Sequence, residues 1–352
     1  MSRRTRTTKL TTAVAALTAL AALAGCADQV SSNTSSGGDS GGKGPKVKIM
    51  VGGIDKVIYL PAMLSQRLGY FKDEGVNVEL LSEPAGIDAT TSLVAGNVQG
   101  VVGFYDHTLD LQTKGKQVES VVQLAQTPGE VEVVSNKAAG SLKSPKNFSG
   151  KKLGVTGLGS STDFLTKYLG VHDGVSTDKV TNVAVGAGQT FISALQKGSI
   201  DGGMTTDPTV AQILDKKLGK VIVDMRTPEG SQQALGGLYP SSSLYMNTDW
   251  VNSHKDIVQK LTNAFVRTLK WMSTHNAKEI AAKMPSDYAQ GGEGLYANAI
   301  ESTMPMFTKD GKMPSDGPAT VQRVLKAFNP NLKNATIDLT KTYTTEFVDK
   351  AK

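Results

Sequence analysis

The 352-residue chain contains one cysteine, Cys26, and only two tryptophans. A single thiol excludes a disulfide framework, a zinc site built on several thiolates and an iron–sulfur cluster. The four histidines are scattered without the spacing of metal ligands, and a Gly-x-Ser-x-Gly motif is missing. The sequence therefore shows no motif for nucleophilic catalysis, and we assign it no catalytic residue, no metal and no cofactor.

Acidic residues are missing before Asp28, whereas Arg3, Arg4, Arg6 and Lys9 all carry positive charge. The formal net charge of the whole chain is +6, and these four residues supply most of it. The sequence pI of about 9.1 is thus largely a property of the N-terminal segment. Because no basic stripe remains in the rest of the chain, we do not expect a nucleic-acid partner.

The N-terminal segment has the pattern of an export signal. Residues 10–24 are an uncharged run of mainly Ala, Leu and Thr, which is shorter than the roughly 20 residues that a membrane-spanning helix needs. A basic start followed by such a run predicts a signal peptide over residues 1–25. The run ends in Leu-Ala-Gly-Cys26, which resembles a bacterial lipobox, in which the cysteine is acylated. Residues 26–46 then form a Ser/Gly-rich tether, so we expect a domain held at the outer face of the cell membrane.

Beyond the tether, short apolar runs alternate with helical periodicity, which predicts an α/β fold with mostly parallel sheets. The pattern Ala-Gly-x6-Leu-x2-Gly-x-(Val or Ile)-x-Gly occurs at residues 85–100 and again, 102 positions later, at residues 187–202. In the second copy we expect a helix over 162–169, ended by Gly170. The repeat indicates one supersecondary unit built twice, and hence two similar lobes facing a cleft.

The C-terminal third is predicted to be mainly helical. Ser253 is expected to cap a helix whose apolar stripe includes Leu261, Phe265 and Leu269. Further helices are expected over 319–328 and 343–348, and these helices are expected to cover the first lobe. The domain prediction is therefore residues 47–132 plus 240–352 for the first lobe and 133–239 for the second.

Several motifs resemble the solute-binding proteins of bacterial ABC importers, in the branch that includes nitrate, sulfonate, taurine and thiamine-precursor binders. The matching segments are Tyr59-Leu60-Pro61-Ala62, Gly69-Tyr70-Phe71-Lys72-Asp73-Glu74-Gly75-Val76, Leu93-x-x-Gly96-x-Val98-x-Gly100, Gly154-Val155-Thr156 and Gly159-Ser160-Ser161-Thr162. This chain has Gln99 where the family usually has Asp, while Asp201 keeps that residue in the second copy. The resemblance implies a two-lobed periplasmic-binding-protein-like fold of type II.

In open α/β sheets, ligands bind beyond the carboxyl ends of the strands, so the loops after the strands supply the candidate site. Acids outnumber basic residues in these loops, and aromatic side chains accompany them. An acidic rim repels anions, which favours a neutral or cationic, heteroaromatic solute. The candidate ligand-binding residues are Asp55, Tyr59, Asp88, Tyr105, Asp106, Ser160, Ser161, Thr162, Gln189, Asp207 and Tyr239.

The loop from Gly157 to Thr162 joins a predicted strand to a predicted helix and allows two interpretations. Its backbone N–H groups and hydroxyls suit a ligand oxygen. Ser160 can also cap the helix that follows, with Asp163 as its partner, and both interpretations can hold at once. The run is close to a dinucleotide fingerprint, but the next strand ends without the acid that such a site requires.

These features predict a lipid-anchored receptor that captures a small solute and presents it to an ABC permease and its ATPase. We expect a monomer and a protein that is not an enzyme. Two alternatives stay open. Relatives in the thiamine-precursor branch include pyrimidine-forming enzymes on the same fold, and a surface sensor of solutes would have the same anchor.

Overall fold

The computed structural model describes residues 44–351. The expected signal peptide, Cys26 and most of the tether lie outside these described residues. Within residues 44–351, none of the helices combines the length and the apolar character needed to cross a bilayer.

Residues 44–351 form ten strands and fourteen α-helices. The strands are β1 (Lys46–Val51), β2 (Asn77–Ser82), β3 (Gly100–Phe104), β4 (Val118–Gln123), β5 (Glu130–Ser135), β6 (Lys152–Val155), β7 (Thr181–Ala184), β8 (Gly202–Thr206), β9 (Gly219–Asp224) and β10 (Ser242–Asn247). The helices are α1 (Leu60–Arg67), α2 (Tyr70–Asp73), α3 (Gly86–Val94), α4 (Asp106–Thr113), α5 (Ser161–His172), α6 (Gln189–Lys197), α7 (Thr209–Asp215), α8 (Pro228–Leu235), α9 (Thr248–Ser253), α10 (Lys255–Met272), α11 (Ala277–Ala281), α12 (Glu293–Thr303), α13 (Gly317–Phe328) and α14 (Pro330–Lys333).

The strands assemble into two five-stranded sheets of the same design. The first lobe is built on the order β2-β1-β3-β10-β4, and the second lobe on the order β7-β6-β8-β5-β9. In each sheet three strands are parallel, and the fourth strand in the order, β10 or β5, runs antiparallel to both neighbours. The expected α/β fold with two duplicated lobes is therefore confirmed.

Glycine permits the closest strand contacts in the second sheet. A Cβ on Gly202 would lie 2.4 Å from the carbonyl oxygen of Val133, and one on Gly203 would lie 2.2 Å from that of Gly154. Real Cβ atoms do not approach backbone oxygens this closely, so any larger residue would push β8 away from its neighbours. The repeated glycine at the start of the third strand in the sequence thus has a packing cause in this lobe.

Two chain segments pass between the lobes. Residues 124–129 lead from β4 to β5, and residues 236–241 lead from α8 to β10. The two segments bind each other, because the Ser241 hydroxyl donates to the carbonyl oxygen of Thr127 at 2.5 Å and the Ser241 N–H donates to that of Ala125 at 3.1 Å. The predicted boundary at residue 132 falls inside β5, which belongs entirely to the second sheet.

The C-terminal helices differ in part from the expectation. Helix α10 covers the first lobe, packing on α1, α2 and β4. Helix α13, by contrast, packs on both α5 and α4 and thus contacts both lobes. The guanidinium of Arg323 on α13 donates to the carbonyl oxygen of Leu235 in the second lobe at 2.6 Å. Helix α13 therefore bridges the lobes, whereas the sequence predicted that the C-terminal helices cover the first lobe alone.

Two local predictions in this region are wrong. Ser253 ends α9, where its hydroxyl donates to the carbonyl of Asp249, and His254 precedes the first residue of α10. The helix expected over 343–348 does not form, because Tyr343 instead forms an isolated bridge to Ser120 on β4. Only a short 3-10 turn, Val348–Lys350, follows it.

Candidate functional site

The carboxyl ends of the parallel strands of both sheets meet at the boundary between the lobes. At this boundary the side chain of Ile87, in the first turn of α3, packs on the loop before α5. A Cβ on Gly159 would lie 3.6 Å from the Ile87 side chain, and one on Gly157 would lie 2.9 Å from the Cβ of Ala85. The lobes are thus in direct contact at this edge, and the cleft is closed there.

Ser160 links the two lobes by a hydrogen bond. The backbone N–H of Ile87 donates to the Ser160 hydroxyl oxygen at 3.2 Å. Helix α3 has Ala85 at its N-cap, which offers no side-chain acceptor, so the opposite lobe supplies the acceptor that this helix start lacks. Ser160 makes no such bond to its own helix. Ser160 occupies the N-cap position of α5, but the side-chain cap with Asp163 that the sequence offered as one interpretation does not form.

The hydroxyls of Ser161 and Thr162, the next two residues, bind different partners. The Thr162 hydroxyl bonds to the Thr156 hydroxyl at 2.9 Å and accepts from the Thr156 N–H at 3.0 Å, so it fixes its own loop. The Ser161 hydroxyl donates to Oε1 of Glu130 at 2.7 Å. Ser161 therefore orients a carboxyl group that begins strand β5.

Two buried carboxyl groups, those of Asp106 and Glu130, have the same arrangement. Their residues are 0% and 1% exposed. One oxygen of each accepts from a hydroxyl: Asp106 Oδ2 from Tyr239 at 2.9 Å, and Glu130 Oε1 from Ser161. The other oxygens, Asp106 Oδ1 and Glu130 Oε2, have no hydrogen-bond partner among the described residues. Buried polar atoms are rarely left unpaired in folded proteins, so these oxygens mark a place for a ligand or water.

The surroundings of these carboxyls oppose their ionisation. Burial raises the pKa of Asp106 to about 7, although the hydrogen bond from Tyr239 opposes the shift. Burial also raises the pKa of Glu130 to about 8; the bond from Ser161 opposes this, and the nearby Asp106 charge adds to it. Both groups therefore titrate near neutral pH, where a bound partner decides their charge.

Lys56 is a buried basic residue near Glu130, and its ammonium group donates hydrogen bonds to the backbone. Its Nζ donates to the carbonyl oxygens of Gly52 at 2.6 Å and Pro84 at 2.9 Å, which ties the loop after β1 to the loop after β2. Burial lowers the pKa of Lys56 to about 8. Lys56 thus holds the loops of the first lobe.

His107 follows Asp106 and faces the same boundary. It is 1% exposed, and its Nε2 has no hydrogen-bond partner among residues 44–351. Phe164 of the second lobe packs edge-on against the ring at a centroid distance of 5.8 Å. Burial lowers the pKa of His107 to about 4, so the ring is neutral at neutral pH.

The structure brings some of the sequence-predicted residues together and separates others. Asp106 is one member of the carboxyl pair. Tyr59, Ser161 and Tyr239 lie near that pair, and Ser160 lies at the lobe contact. The remaining six lie elsewhere or face other partners. Asp88 and Gln189 are exposed, Asp55 lies near Tyr288 and Tyr296, Tyr105 bonds to Thr342, Thr162 fixes its own loop, and Asp207 pairs with Arg226 at 3.0 Å. Ligand contact stays a prediction for all eleven.

The predicted set omits Lys56, His107 and Glu130. A sequence signal for Glu130 exists, because Glu130 and Glu132 alternate with valines in a strand that is buried throughout. Charged residues at alternate positions of a buried strand are costly unless they serve a purpose. The burial of Lys56 and His107 depends on contacts between loops and lobes, and their local sequence does not show it.

Comparison with known proteins places the chain in a family. A family model described as "NMT1/THI5 like" matches residues 58–279. The chain belongs to this NMT1/THI5-like family. A 4-amino-5-hydroxymethyl-2-methylpyrimidine phosphate synthase of Aspergillus parasiticus is 33% identical over 298 residues, which are 78% of this chain and 82% of the relative.

Solved structures show the same fold. A protein of Bordetella bronchiseptica RB50 superposes with a TM-score of 0.83 at 35% identity, covering 87% of this chain and 96% of that one. The periplasmic nitrate-binding protein NrtA of Synechocystis PCC 6803 superposes with a TM-score of 0.69 at 13% identity, covering 88% and 89%. The resemblance to the solute-binding branch is therefore confirmed, and the fold is that of periplasmic binding proteins.

The expectation that the chain is not an enzyme is contradicted. The Aspergillus relative, which is similar over most of this chain, is named as a synthase. The absence of a catalytic motif in the sequence was thus insufficient to exclude an enzyme, because this family includes a named enzyme on a binding-protein fold.

Proposed function

We propose that this protein is an extracytoplasmic receptor that closes on a small planar solute of the aminopyrimidine class and delivers it to an ABC permease. The observation that carries the proposal is the pair of buried, unpartnered carboxyl oxygens, Asp106 Oδ1 and Glu130 Oε2, at the boundary of two contacting lobes. A solute that donates hydrogen bonds supplies what these acceptors lack.

The chemistry of the cluster favours the free base over its phosphate ester. An exocyclic amino group donates to carboxyl oxygens such as those of Asp106 and Glu130. A phosphate group would bring negative charge beside two acids, while the Lys56 ammonium is already bonded to two backbone carbonyls. The solute we propose is therefore the unphosphorylated relative of the compound in the synthase's name.

The N-terminal pattern and the fold support a role in import. Residues 1–25 have the pattern of a signal peptide. An acylated Cys26 followed by the Ser/Gly tether would hold a monomer at the outer face of the cell membrane. We propose two lobes close to the predicted ranges of 47–132 plus 240–352 and 133–239, with all of β5 in the second lobe and hinges in 124–129 and 236–241. Opening at these hinges would admit the solute, and closure would present it to the permease and its ATPase.

The test is thermal unfolding of the full-length protein against a solute panel. The panel contains 4-amino-5-hydroxymethyl-2-methylpyrimidine, its phosphate, nitrate and an alkanesulfonate. A solute at one hundred times its Kd should stabilise the protein by about 2.7 kcal/mol. We expect the free pyrimidine to give the largest shift. A response to nitrate or the sulfonate without one to the pyrimidine would overturn the proposed solute class.

The import role needs its own test. Deleting the gene should abolish uptake of the labelled pyrimidine by intact cells, and a wild-type copy should restore it. A C26A variant, which cannot be acylated at this position, should restore uptake poorly. Normal uptake after deletion would contradict the receptor role.

A second candidate function is pyrimidine synthesis, which the similarity to the Aspergillus synthase favours. Groups that titrate near neutrality, such as Asp106 and Glu130, suit proton transfer as well as binding. Expression in a strain that cannot make 4-amino-5-hydroxymethyl-2-methylpyrimidine phosphate tests this candidate. Growth without added pyrimidine would support synthesis, and growth only when a low concentration is supplied would support uptake.

A further inference from the structure

The acidic cluster contains more buried carboxyl groups than the cations around it can neutralise. Asp106 and Glu130 come from different lobes, yet both raise the pKa of Tyr59 and of Tyr239, which places the four side chains in one cluster. Each carboxyl is oriented by one hydroxyl and leaves one oxygen unpartnered. One oxygen of each carboxyl is therefore held in place, and the other is an acceptor without a partner among residues 44–351.

The basic groups nearby are used elsewhere. Lys56 bonds to the carbonyls of Gly52 and Pro84, and none of the ion pairs found among residues 44–351 includes it. His107 Nδ1 lies 4.0 Å from Asp106 Oδ1, but burial keeps the ring neutral by lowering its pKa. Arg226 is engaged by Asp207 at 3.0 Å and Asp224 at 2.6 Å. The charge of Lys56 lowers the pKa of Glu130, so it offsets part of the negative charge of the cluster, which holds two buried carboxyl groups.

Without a ligand, protons must supply the compensation. Burial raises the pKa of Asp106 to about 7 and that of Glu130 to about 8, so at neutral pH at least one of them is protonated when no cation lies beside them. A ligand that carries a positive charge replaces that proton and meets the unpartnered oxygens directly. A neutral ligand of the same shape leaves the cluster as it was and gains only hydrogen bonds and ring contacts.

We infer that the solute is bound as a cation, and that Glu130 is the residue that selects for the positive charge. This inference rests on the proposed function and makes it more specific. Ser161 fixes Oε1 of Glu130, which leaves Oε2 as an acceptor without a partner, and the unpartnered Nε2 of His107 is a second polar atom at the same boundary. Asp106 contributes the matching acceptor from the first lobe.

Three ring isosteres separate charge from shape. They are 4-amino-2-methylpyridine, whose strongly basic ring nitrogen is protonated at neutral pH, 4-amino-2-methylpyrimidine, which is largely neutral, and 3-methylaniline, which is neutral. Calorimetry on the full-length protein at pH 7 measures the Kd of each. We expect the pyridine to bind most tightly and the aniline most weakly, with a ratio of at least about tenfold, the scale of one hydrogen bond to a charged group.

The E130Q variant tests the role of Glu130, because glutamine keeps the shape and removes the charge. We expect the ratio between aniline and pyridine affinities to fall by about tenfold or more. E132Q is the matched control. Glu132 lies two residues along β5, is 0% exposed and also has one unpartnered oxygen, but its other oxygen accepts from Thr166 on α5. E132Q should leave the ratio unchanged.

The outcomes distinguish this inference from the proposed function. If the wild-type protein binds none of the three rings, and none of the pyrimidines of the panel, the solute class is wrong. If it binds all three rings equally, or if E130Q retains the preference for the pyridine, charge selection by Glu130 is refuted while a pyrimidine receptor stands. An equal loss of preference in E132Q would show that the negative charge of either glutamate on β5 attracts the cation, and would also refute the specific role of Glu130.

Discussion

Replacing Ser160 with alanine tests whether the hydrogen bond between the lobes contributes to closure. In the closed cleft the Ser160 hydroxyl accepts from the N–H of Ile87 at 3.2 Å and caps α3 across the lobe boundary. In an open cleft the same hydroxyl faces solvent and the start of α3 is hydrated. The substitution therefore removes an interaction of the closed form alone.

The magnitude follows from helix capping. Removing a serine N-cap costs about 1 kcal/mol, and here the cost falls on the closed form. Because a solute bound by both lobes requires closure, its Kd should rise about fivefold. The thermal stability of the unliganded protein should change little, since each lobe keeps its own packing.

Calorimetry with the preferred solute measures the Kd, and small-angle scattering with and without solute measures closure. S273A is a suitable control, because the Ser273 hydroxyl donates to the carbonyl of Lys270 within the first lobe, far from the lobe contact in sequence and exposed to solvent. An unchanged Kd for S160A would refute the reasoning. A lower stability of the unliganded protein with an unchanged Kd would show that Ser160 acts only within its own lobe.

Three further predictions concern stability. The unliganded protein should become less stable as the pH rises from about 5 to about 8, since burial holds the pKa of Asp106 at about 7 and that of Glu130 at about 8, above their unfolded values of about 4. E130Q should flatten this profile of melting temperature against pH, and a flat wild-type profile would contradict the reasoning. G203A should lower the unfolding free energy by about 2–3 kcal/mol, because the new Cβ meets a backbone oxygen. G140A is the control, since a Cβ there meets nothing within 4 Å and should leave the unfolding free energy unchanged. Equal denaturation midpoints for the two variants would refute this prediction. R323A should lower the unfolding free energy by about 1–3 kcal/mol through the lost bond to Leu235. R67A, which loses a bond from an exposed arginine to the carbonyl of Lys283, should cost less; similar losses would show that α13 does not brace the second lobe.

Much of the fold was predictable because its signals are local. Alternating apolar runs and the glycine pattern repeated at a spacing of 102 residues predict two α/β lobes, and β3 and β8 begin at the repeated glycines Gly100 and Gly202. Local signals also misled. Gly170 was expected to end a helix, but it lies inside α5, where a Cβ would be 2.8 Å from Val180. That glycine permits close packing with a distant residue, and a local rule cannot distinguish the two uses.

The candidate site was predictable only in part, since its loops could be located but the direction of each side chain could not. Tyr105 and Asp106 are neighbours in sequence, yet Tyr105 bonds to Thr342 near the C-terminus while Asp106 bonds to Tyr239 near a lobe crossing. Partners more than one hundred residues away decide which of two adjacent polar residues faces the cleft. Sequence alone contains no measure of that choice.

The duplication also shows where to look for the residues that make this protein specific. Glu130 on β5 pairs with Thr206 on β8, and Ser242 on β10 pairs with Phe104 on β3. Residues 104 and 206 are separated by the repeat spacing of 102, so Glu130 and Ser242 occupy equivalent positions in the two sheets. By the same register Glu132, which pairs with Met204, is equivalent to Leu244, which pairs with Val102.

One copy therefore has serine and leucine where the other has two buried glutamates. The shared scaffold tolerates neutral residues at both positions, so the acids are not required to build the sheet. A buried carboxyl lowers stability unless something compensates it, and the scaffold of the first lobe shows that the fold can avoid this cost. The departure from the repeat at residue 130, whose carboxyl keeps one unpartnered oxygen at the boundary between the lobes, is thus best explained by what the cleft binds.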